Sequence, residues 1–303
     1  LIEVKNVSKS FGRTRVLSDV SFKVGNGEVV GYVGLNGAGK TTTIRIIVGV
    51  LNPDSGDVIV DGYSVLSDKR RASERIGWVP ELPIFETEFK ALDYFVYLAG
   101  YHGLSKSEAV KLGKELLGRM GLEDAMGKRL SEYSQGMKKR FALAVSLISN
   151  PPNIVFDEVL NGLDPQGIAF FRELAREFKR ENKAVLFSSH ILKEVEQLAD
   201  KVVFIHKGRI IGVYTMEEIT RLAKPSLKIR VSNNLEEAVK ILSNYGEVVA
   251  GDMEITVKIN HGVNPEEILD ELVKRSIGVK EFRNEERDLE AFFFELIREA
   301  EKQ

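Results

Sequence analysis

Three observations predict an α/β fold built on a parallel sheet, with a smaller α+β unit behind it. The apolar run Val29-Val30-Gly31-Tyr32-Val33 leads through the glycine-rich stretch Gly34-Leu35-Asn36-Gly37-Ala38-Gly39-Lys40-Thr41-Thr42 into Ile44-Arg45-Ile46-Ile47, which reads as strand, loop and helix. Further on, Asn153-Ile154-Val155-Phe156 and Ala184-Val185-Leu186-Phe187 are short buried-strand runs, and Ile168, Phe171, Leu174 and Phe178 between them keep helical spacing. Beyond about Pro225 the pattern changes to the order β-α-β-β-α-β.

Taken from the start, Ile2-Glu3-Val4 and Val20-Ser21-Phe22-Lys23-Val24 read as strands with Phe11-Gly12 between them. Gly25-Asn26-Gly27 then turns the chain into the glycine-loop strand. Pro53-Asp54-Ser55-Gly56 turns into another strand, Asp57-Val58-Ile59-Val60-Asp61-Gly62, so a small antiparallel sheet is expected beside the parallel one. Taken alone, Phe11 reads as core packing or as a ring for stacking a base.

The glycine loop has the form G-x-x-x-x-G-K-[ST] of a P-loop. Its glycines let successive backbone N–H groups turn inward around phosphate oxygens, and the following helix adds unpaired donors and its positive end. Lys40 is expected to reach the β and γ phosphates, and the Thr41 hydroxyl to ligate Mg²⁺.

Ile76-Gly77-Trp78-Val79-Pro80-Glu81 is a short strand ended by proline, with a carboxylate just past it. A helical pattern is expected from Pro83 to about Gly127, with Phe89, Leu92, Phe95 and Val96 at helix spacing and a capping box at Ser105-Lys106-Ser107-Glu108. The aromatics Phe85, Phe89, Tyr94, Phe95, Tyr97 and Tyr101 are many for one small helical core, so some of them are expected to face a partner. Tyr133-Ser134-Gln135-Gly136-Met137 then opens an apolar helix, where the serine and glycine make either an anion site or an ordinary N-cap.

Asp157 and Glu158 follow the strand at 153–156, at the carboxyl edge where a parallel sheet meets its ligands. Asp157 suits Mg²⁺, directly or through its hydration, and Glu158 is placed to orient and deprotonate an attacking water. Gly162-Leu163-Asp164-Pro165 starts the next helix. The strand Ala184-Val185-Leu186-Phe187 ends in Ser188-Ser189-His190, which puts a histidine beside the expected γ phosphate.

Composition bounds the rest. The chain has 303 residues, 43 basic against 45 acidic for a net charge of -2, and no cysteine. Near-neutral charge offers no footprint for nucleic acid, and the lack of cysteine excludes disulfides, thiolate metal sites and a cysteine nucleophile. No signal peptide is visible, although the chain begins at Leu1, and no apolar run approaches the roughly 20 residues of a membrane helix. A soluble protein is expected, held at any membrane by a partner.

The ordered set of P-loop, Glu81, Ser134-Gln135-Gly136, Asp157-Glu158, Gly162-Leu163-Asp164 and Ser189-His190 resembles the nucleotide-binding subunit of an ABC transporter over about residues 1–222. The resemblance implies a P-loop NTPase domain of ABC type, with parallel sheet core, antiparallel β subdomain and a helical insert at about 83–150. It implies that ATP and Mg²⁺ are bound, with Asn36, Gly37, Ala38, Gly39, Lys40, Thr41 and Thr42 around the phosphates and Phe11 at the adenine. Ser134, Gln135 and Gly136 match the signature loop, Asp164 the D-loop and His190 the switch histidine. Thr41, Glu81 and Asp157 fall at the metal, with Glu81 where the family usually has glutamine. Lys207-Gly208-Arg209-Ile210 matches the strand and turn that follow. Three departures stand out: Glu81 for glutamine, Gln135 inside the signature, and Val159-Leu160 where a proline and a small residue are common.

In this family's architecture each nucleotide lies between Lys40 of one subunit and Ser134 of another. A homodimer, or a pair with a paralogous ATPase subunit, is therefore implied on ATP binding, with an integral membrane permease docked near Glu81 and the helical insert. The implied location is the inner face of the cell membrane, and no nucleic acid is expected. Export through a separate transmembrane chain is the favoured reading, against a soluble ABC ATPase of the ribosome or DNA and against an importer subunit. The remainder, 225–303, reads as a small α+β ferredoxin-like domain followed by a helix, Leu289 to Ile297, whose Phe292-Phe293-Phe294 exceeds what one helical face can bury.

Overall fold

The computed structural model describes residues 1–222, 226–251, 253–260, 262–285 and 289–302. They fall into two compact units, Leu1–Thr215 and Met216–Gln303. The division comes ahead of the sequence boundary at 222, and Pro225, from which the change of pattern was expected, lies outside the described residues.

In chain order the first unit runs β1 (Ile2–Phe11), β2 (Thr14–Val24), β3 (Val29–Val33), α1 (Lys40–Ile47), β4 (Ser55–Val60), β5 (Tyr63–Ser64), α2 (Lys69–Ser73), β6 (Ile76–Val79), α3 (Ala91–Gly100), α4 (Lys106–Arg119), α5 (Gln135–Ser146), β7 (Asn153–Phe156), α6 (Pro165–Arg180), β8 (Ala184–Ser189), α7 (Leu192–Leu198), β9 (Lys201–His206) and β10 (Arg209–Thr215). Strands β2-β1-β4-β5 form an antiparallel sheet, and β10-β9-β3-β8-β7-β6 form a second, mostly parallel sheet. In the second sheet β9, β3, β8, β7 and β6 are mutually parallel, while β10 runs against β9.

Register places the site. Val33 pairs with Ser189, Phe156 with Phe187 and Val79 with Phe156, so β3, β8, β7 and β6 end nearly level. The loops that leave them, at 34–39, 190, 157–158 and 80–81, therefore emerge side by side on the carboxyl edge. These strands read as unbroken apolar runs because both faces of a parallel sheet are covered. One buried core joins the two sheets, with Ile2, Val20 and Phe22 on the antiparallel side and Tyr32, Val155, Leu186 and Val203 on the parallel side. Phe22 stacks on Tyr32 at 5.0 Å between ring centroids.

The helical insert departs from its expected start. Helix begins only at Ala91, and 80–90 is mostly irregular chain, because Pro80 and Pro83 offer no N–H and hold their predecessors extended. Phe89 lies before the helix yet packs on Tyr94 at 5.5 Å between ring centroids. The capping box ahead of α4 is complete, with Ser105 and Glu108 each bonding the other's backbone N–H. Phe95 is fully buried, whereas Phe89, Tyr97 and Tyr101 are exposed.

The second unit contains α8 (Met216–Leu222), β11 (Ser226–Val231), α9 (Leu235–Leu242), β12 (Gly246–Ala250), β13 (Glu254–Ile259), α10 (Pro265–Lys274), β14 (Val279–Glu285) and α11 (Leu289–Ala300). Its antiparallel sheet has the order β12-β13-β11-β14, so the first and third strands of the β-α-β-β-α-β run lie at the centre. That is the ferredoxin-like arrangement. Leu227, Ile229, Val231, Ile255, Val257 and Ile259 meet Ile241, Leu242, Ile268 and Leu272 of the helices in one core. In α11, Phe292 and Phe293 are buried and Phe294 is exposed, as a single face at helical period allows.

Candidate active site

A cavity of about 620 Å³ opens at the carboxyl edge of the parallel sheet. Asn36, Gly37, Gly39, Lys40, Thr41 and Thr42 form one wall, Glu81, Glu158, Asn161 and His190 the other, and Val16 of β2 an apolar margin. The glycine loop feeds α1 through Gly39, an N-cap at φ 108° with no side-chain cap and no acid in the first turn. That φ strains any residue with a side chain, and a Cβ there would also meet Leu17 Cδ2 at 2.5 Å, so the position favours glycine. The first-turn N–H groups of α1 thus face the cavity without a side-chain acceptor, which fits an anion. Ala38 closes the loop from behind, its N–H donating to Leu35 O at 3.1 Å.

Lys40 is buried and donates to Gly34 O at 2.7 Å while its ammonium sits 3.1 Å from Glu158 Oε1. The other carboxylate oxygen of Glu158, Oε2, meets His190 Nδ1 at 2.7 Å and accepts from Asn161 Nδ2 at 2.5 Å. Burial works to raise the pKa of Glu158, but the bonds from Asn161 and Lys40, the Lys40 charge and the His190 bond outweigh it. The carboxyl is held below its usual range. Glu158 also has φ 48°, an uncommon conformation for a residue with a side chain, and its N–H donates to Ser188 Oγ at 2.9 Å.

Asp157 lies behind this wall. It accepts from Ser188 Oγ at 2.9 Å and lies 3.5 Å from the Thr41 hydroxyl. Burial holds its carboxyl above the usual range against the Ser188 bond, and the negative charges of Glu158 and Glu81 add to the effect. A cation beside Thr41 would relieve that excess of negative charge, so these groups fit Mg²⁺. Among the described residues no cluster of three or more His, Cys, Asp or Glu side chains is arranged for a metal. Such an ion would complete its shell with phosphate oxygens and water, the usual mode for Mg²⁺ at nucleotide sites.

Other residues singled out from the sequence stand away from the cavity. Ser134 caps α5, accepting from Met137 N at 3.2 Å, and both Ser134 and Gln135 are exposed. Gly136 stands next to Leu163, 3.6 Å from a Cβ built on it to Leu163 Cδ2. Asp164 caps α6, accepting from Gly167 N at 2.8 Å. Phe11 is half exposed at the β1–β2 turn with the Lys9 ammonium 5.7 Å from its ring centroid, and Val16 lines the cavity in its place. Sequence reasoning passed over Val16, Asn161 and Lys139. For Lys139 a signal was present, since it shares a helix face with Ala142 and Leu143, three and four residues on.

The family model described as ABC transporter matches residues 17–161. An uncharacterised ABC transporter ATP-binding protein, YhcH of Bacillus subtilis (strain 168), is 31% identical over 100% of this chain and 98% of its own length. The chain belongs to the ABC transporter ATP-binding proteins. The bacitracin transport ATP-binding protein BcrA of Bacillus licheniformis is 30% identical over 98% of this chain and 97% of its own. A solved structure described as the ATP binding subunit of an ABC transporter superposes with a TM-score of 0.67 at 33% identity, covering 73% of this chain and 92% of that one. This ABC subunit is accordingly an ATP-binding ATPase. Among its described residues no helix is long and apolar enough to cross a membrane.

Proposed function

We propose that the chain hydrolyses Mg²⁺-bound ATP at the cavity between Lys40 and Glu158, as one half of a twofold pair that drives export through a separate membrane chain. The observation that carries this reading is the meeting of Lys40, Glu158 and His190 at the exit of a glycine loop. The N–H groups of the loop and first turn, with Lys40, bind the β and γ phosphates. Phe11, on the turn that precedes the Val16 margin of the cavity, is the ring proposed to meet the adenine. Thr41 and Asp157 would hold Mg²⁺, whose charge offsets that of the phosphates.

Hydrolysis needs a water aligned with the γ phosphorus and a group to receive its proton. Glu158, ionised at neutral pH, takes that proton as the P–O bond to ADP breaks and inorganic phosphate leaves. His190 hydrogen-bonds a γ-phosphate oxygen and exchanges that contact with its present one to Glu158 Oε2. Glu81, exposed on the same wall, would accept from water held by Mg²⁺.

The position of Ser134, Gln135, Gly136 and Asp164 outside the cavity supports their acting on a second copy's nucleotide rather than on their own. ATP then joins the two copies, and loss of the γ phosphate removes the contacts that favour closure. Exposed Phe89, Tyr97 and Tyr101 on the helical insert, near Glu81 in sequence, make the proposed seat for a membrane partner. That BcrA is named for bacitracin transport favours a small molecule as the cargo, with the working position at the inner face of the membrane.

Glu158→Gln tests the proposal. The variant is expected to bind ATP, run as a dimer, keep a multi-spanning partner when purified from membranes, and lose about 10²- to 10⁴-fold in turnover. Undiminished turnover would refute the role of Glu158, and copurifying ribosomes or DNA would refute export.

A further inference from the structure

Lys139 is the unexplained charge near this site. It lies on α5, is 4% exposed, and belongs to a residue type almost never buried without a partner. Its ammonium donates to two backbone carbonyls, Val159 O at 2.8 Å and Asn161 O at 2.5 Å. A leucine or methionine would fill the same space without the cost of desolvating an amine. What the lysine adds is a grip on the three residues that follow Glu158.

Those residues form a tight turn. Glu158 enters it at φ 48°, Asn161 N donates back to Glu158 O at 3.1 Å, and the Asn161 side chain donates to Glu158 Oε2 at 2.5 Å. Holding the Asn161 carbonyl therefore also holds the amide that aims the carboxylate. The same helix begins at Ser134, so the contact joins the element carrying the signature loop to the carboxylate of its own chain.

We propose that Lys139 is a positioning residue for hydrolysis, acting on Glu158 through the turn at 159–161 and the Asn161 amide. The inference rests on Glu158 being the base. A carboxylate free to swing by about 1 Å costs roughly a hundredfold in rate without weakening nucleotide binding, because the glycine-loop N–H groups that cradle the phosphates form the facing wall and take no contact from Lys139.

The experiment measures steady-state hydrolysis and equilibrium binding of ATP by the full chain with Lys139→Met, Lys139→Arg, Asn161→Ala and the double variant Lys139→Met/Asn161→Ala. Expected is a fall in kcat of about ten- to a hundredfold for Lys139→Met and for Asn161→Ala, with KM and ATP affinity within about twofold of wild type. The double variant should be no slower than the worse single, since both cut one chain of contacts. Lys139→Arg, which keeps donors toward the carbonyls, should recover part of the rate. Unchanged kcat in Lys139→Met, parallel losses of kcat and affinity, or multiplying losses in the double variant would overturn the proposal. If Lys139→Met does not fold, the other singles decide, and wild-type kcat in Asn161→Ala overturns it. Glu158→Gln assayed alongside separates the two ideas: full activity there defeats the base, whereas an inactive Glu158→Gln beside a fully active Asn161→Ala defeats only the positioning.

Discussion

Glu158 divides its carboxylate among Lys40, His190 and Asn161, and that division decides its charge. Its pKa in the folded chain lies below the ordinary 4.5, so the folded state favours the ionised form. A depressed carboxyl contributes stability above its unfolded pKa and loses it as pH falls through the folded value. Asp157, held up by burial, contributes with the opposite sign. Without nucleotide, Glu158→Gln should be less stable than wild type by about 1–3 kcal/mol at pH 7 in urea titrations, since Lys40 and His190 lose a charged acceptor. The gap should close as pH falls below 4.5; a gap of constant size would show that ionisation is not its source. The positions of Lys40, Glu158 and His190 at the cavity were legible because motif and strand end place them together. Asn161 and Lys139 were not, because each matters through a contact across the fold: the lysine sits within the basic run Lys138-Lys139-Arg140, where only helix phase marks it out.

At the scale of elements, the caps explain why these helices start where they do. Ser105, Ser134 and Asp164 each accept from a backbone N–H of the first turn. Ser105 caps a helix of the insert and does not line the cavity, so Ser105→Ala isolates the energetic part of a cap. It should cost about 1 kcal/mol and lower the melting temperature by a few degrees with ATP turnover unchanged. Altered turnover with unaltered melting would mean the insert acts on the site by another route. Ser134→Ala, by contrast, should lose both the cap and a hydroxyl proton left free for an anion. These helices could be read from their period and caps. The first two strands are longer than read, Ile2–Phe11 and Thr14–Val24, because bulges near Asn6 and Asp19, both at positive φ, break the alternation that marks a strand.

For the whole molecule, the arrangement separates two sets of groups. Lys40 and Glu158 line the cavity, while Ser134, Gly136 and Asp164 do not. Lys40→Met and Ser134→Arg should each be inactive alone, yet an equal mixture should recover about a quarter of wild-type activity. Random pairing makes half the dimers mixed, each with one of its two composite sites intact. A mixture no more active than its components would place each reaction within a single chain. The outline of both units was readable from strand order, whereas which face of one copy meets another came only from the family resemblance, since that depends on surfaces rather than periodicity. The exposed seat of Ser134 carries one more implication. If each copy's signature loop completes its neighbour's site, as proposed, damage there would spare its bearer's own nucleotide and spoil a healthy neighbour's, so in a mixed population the injury would be contagious rather than private.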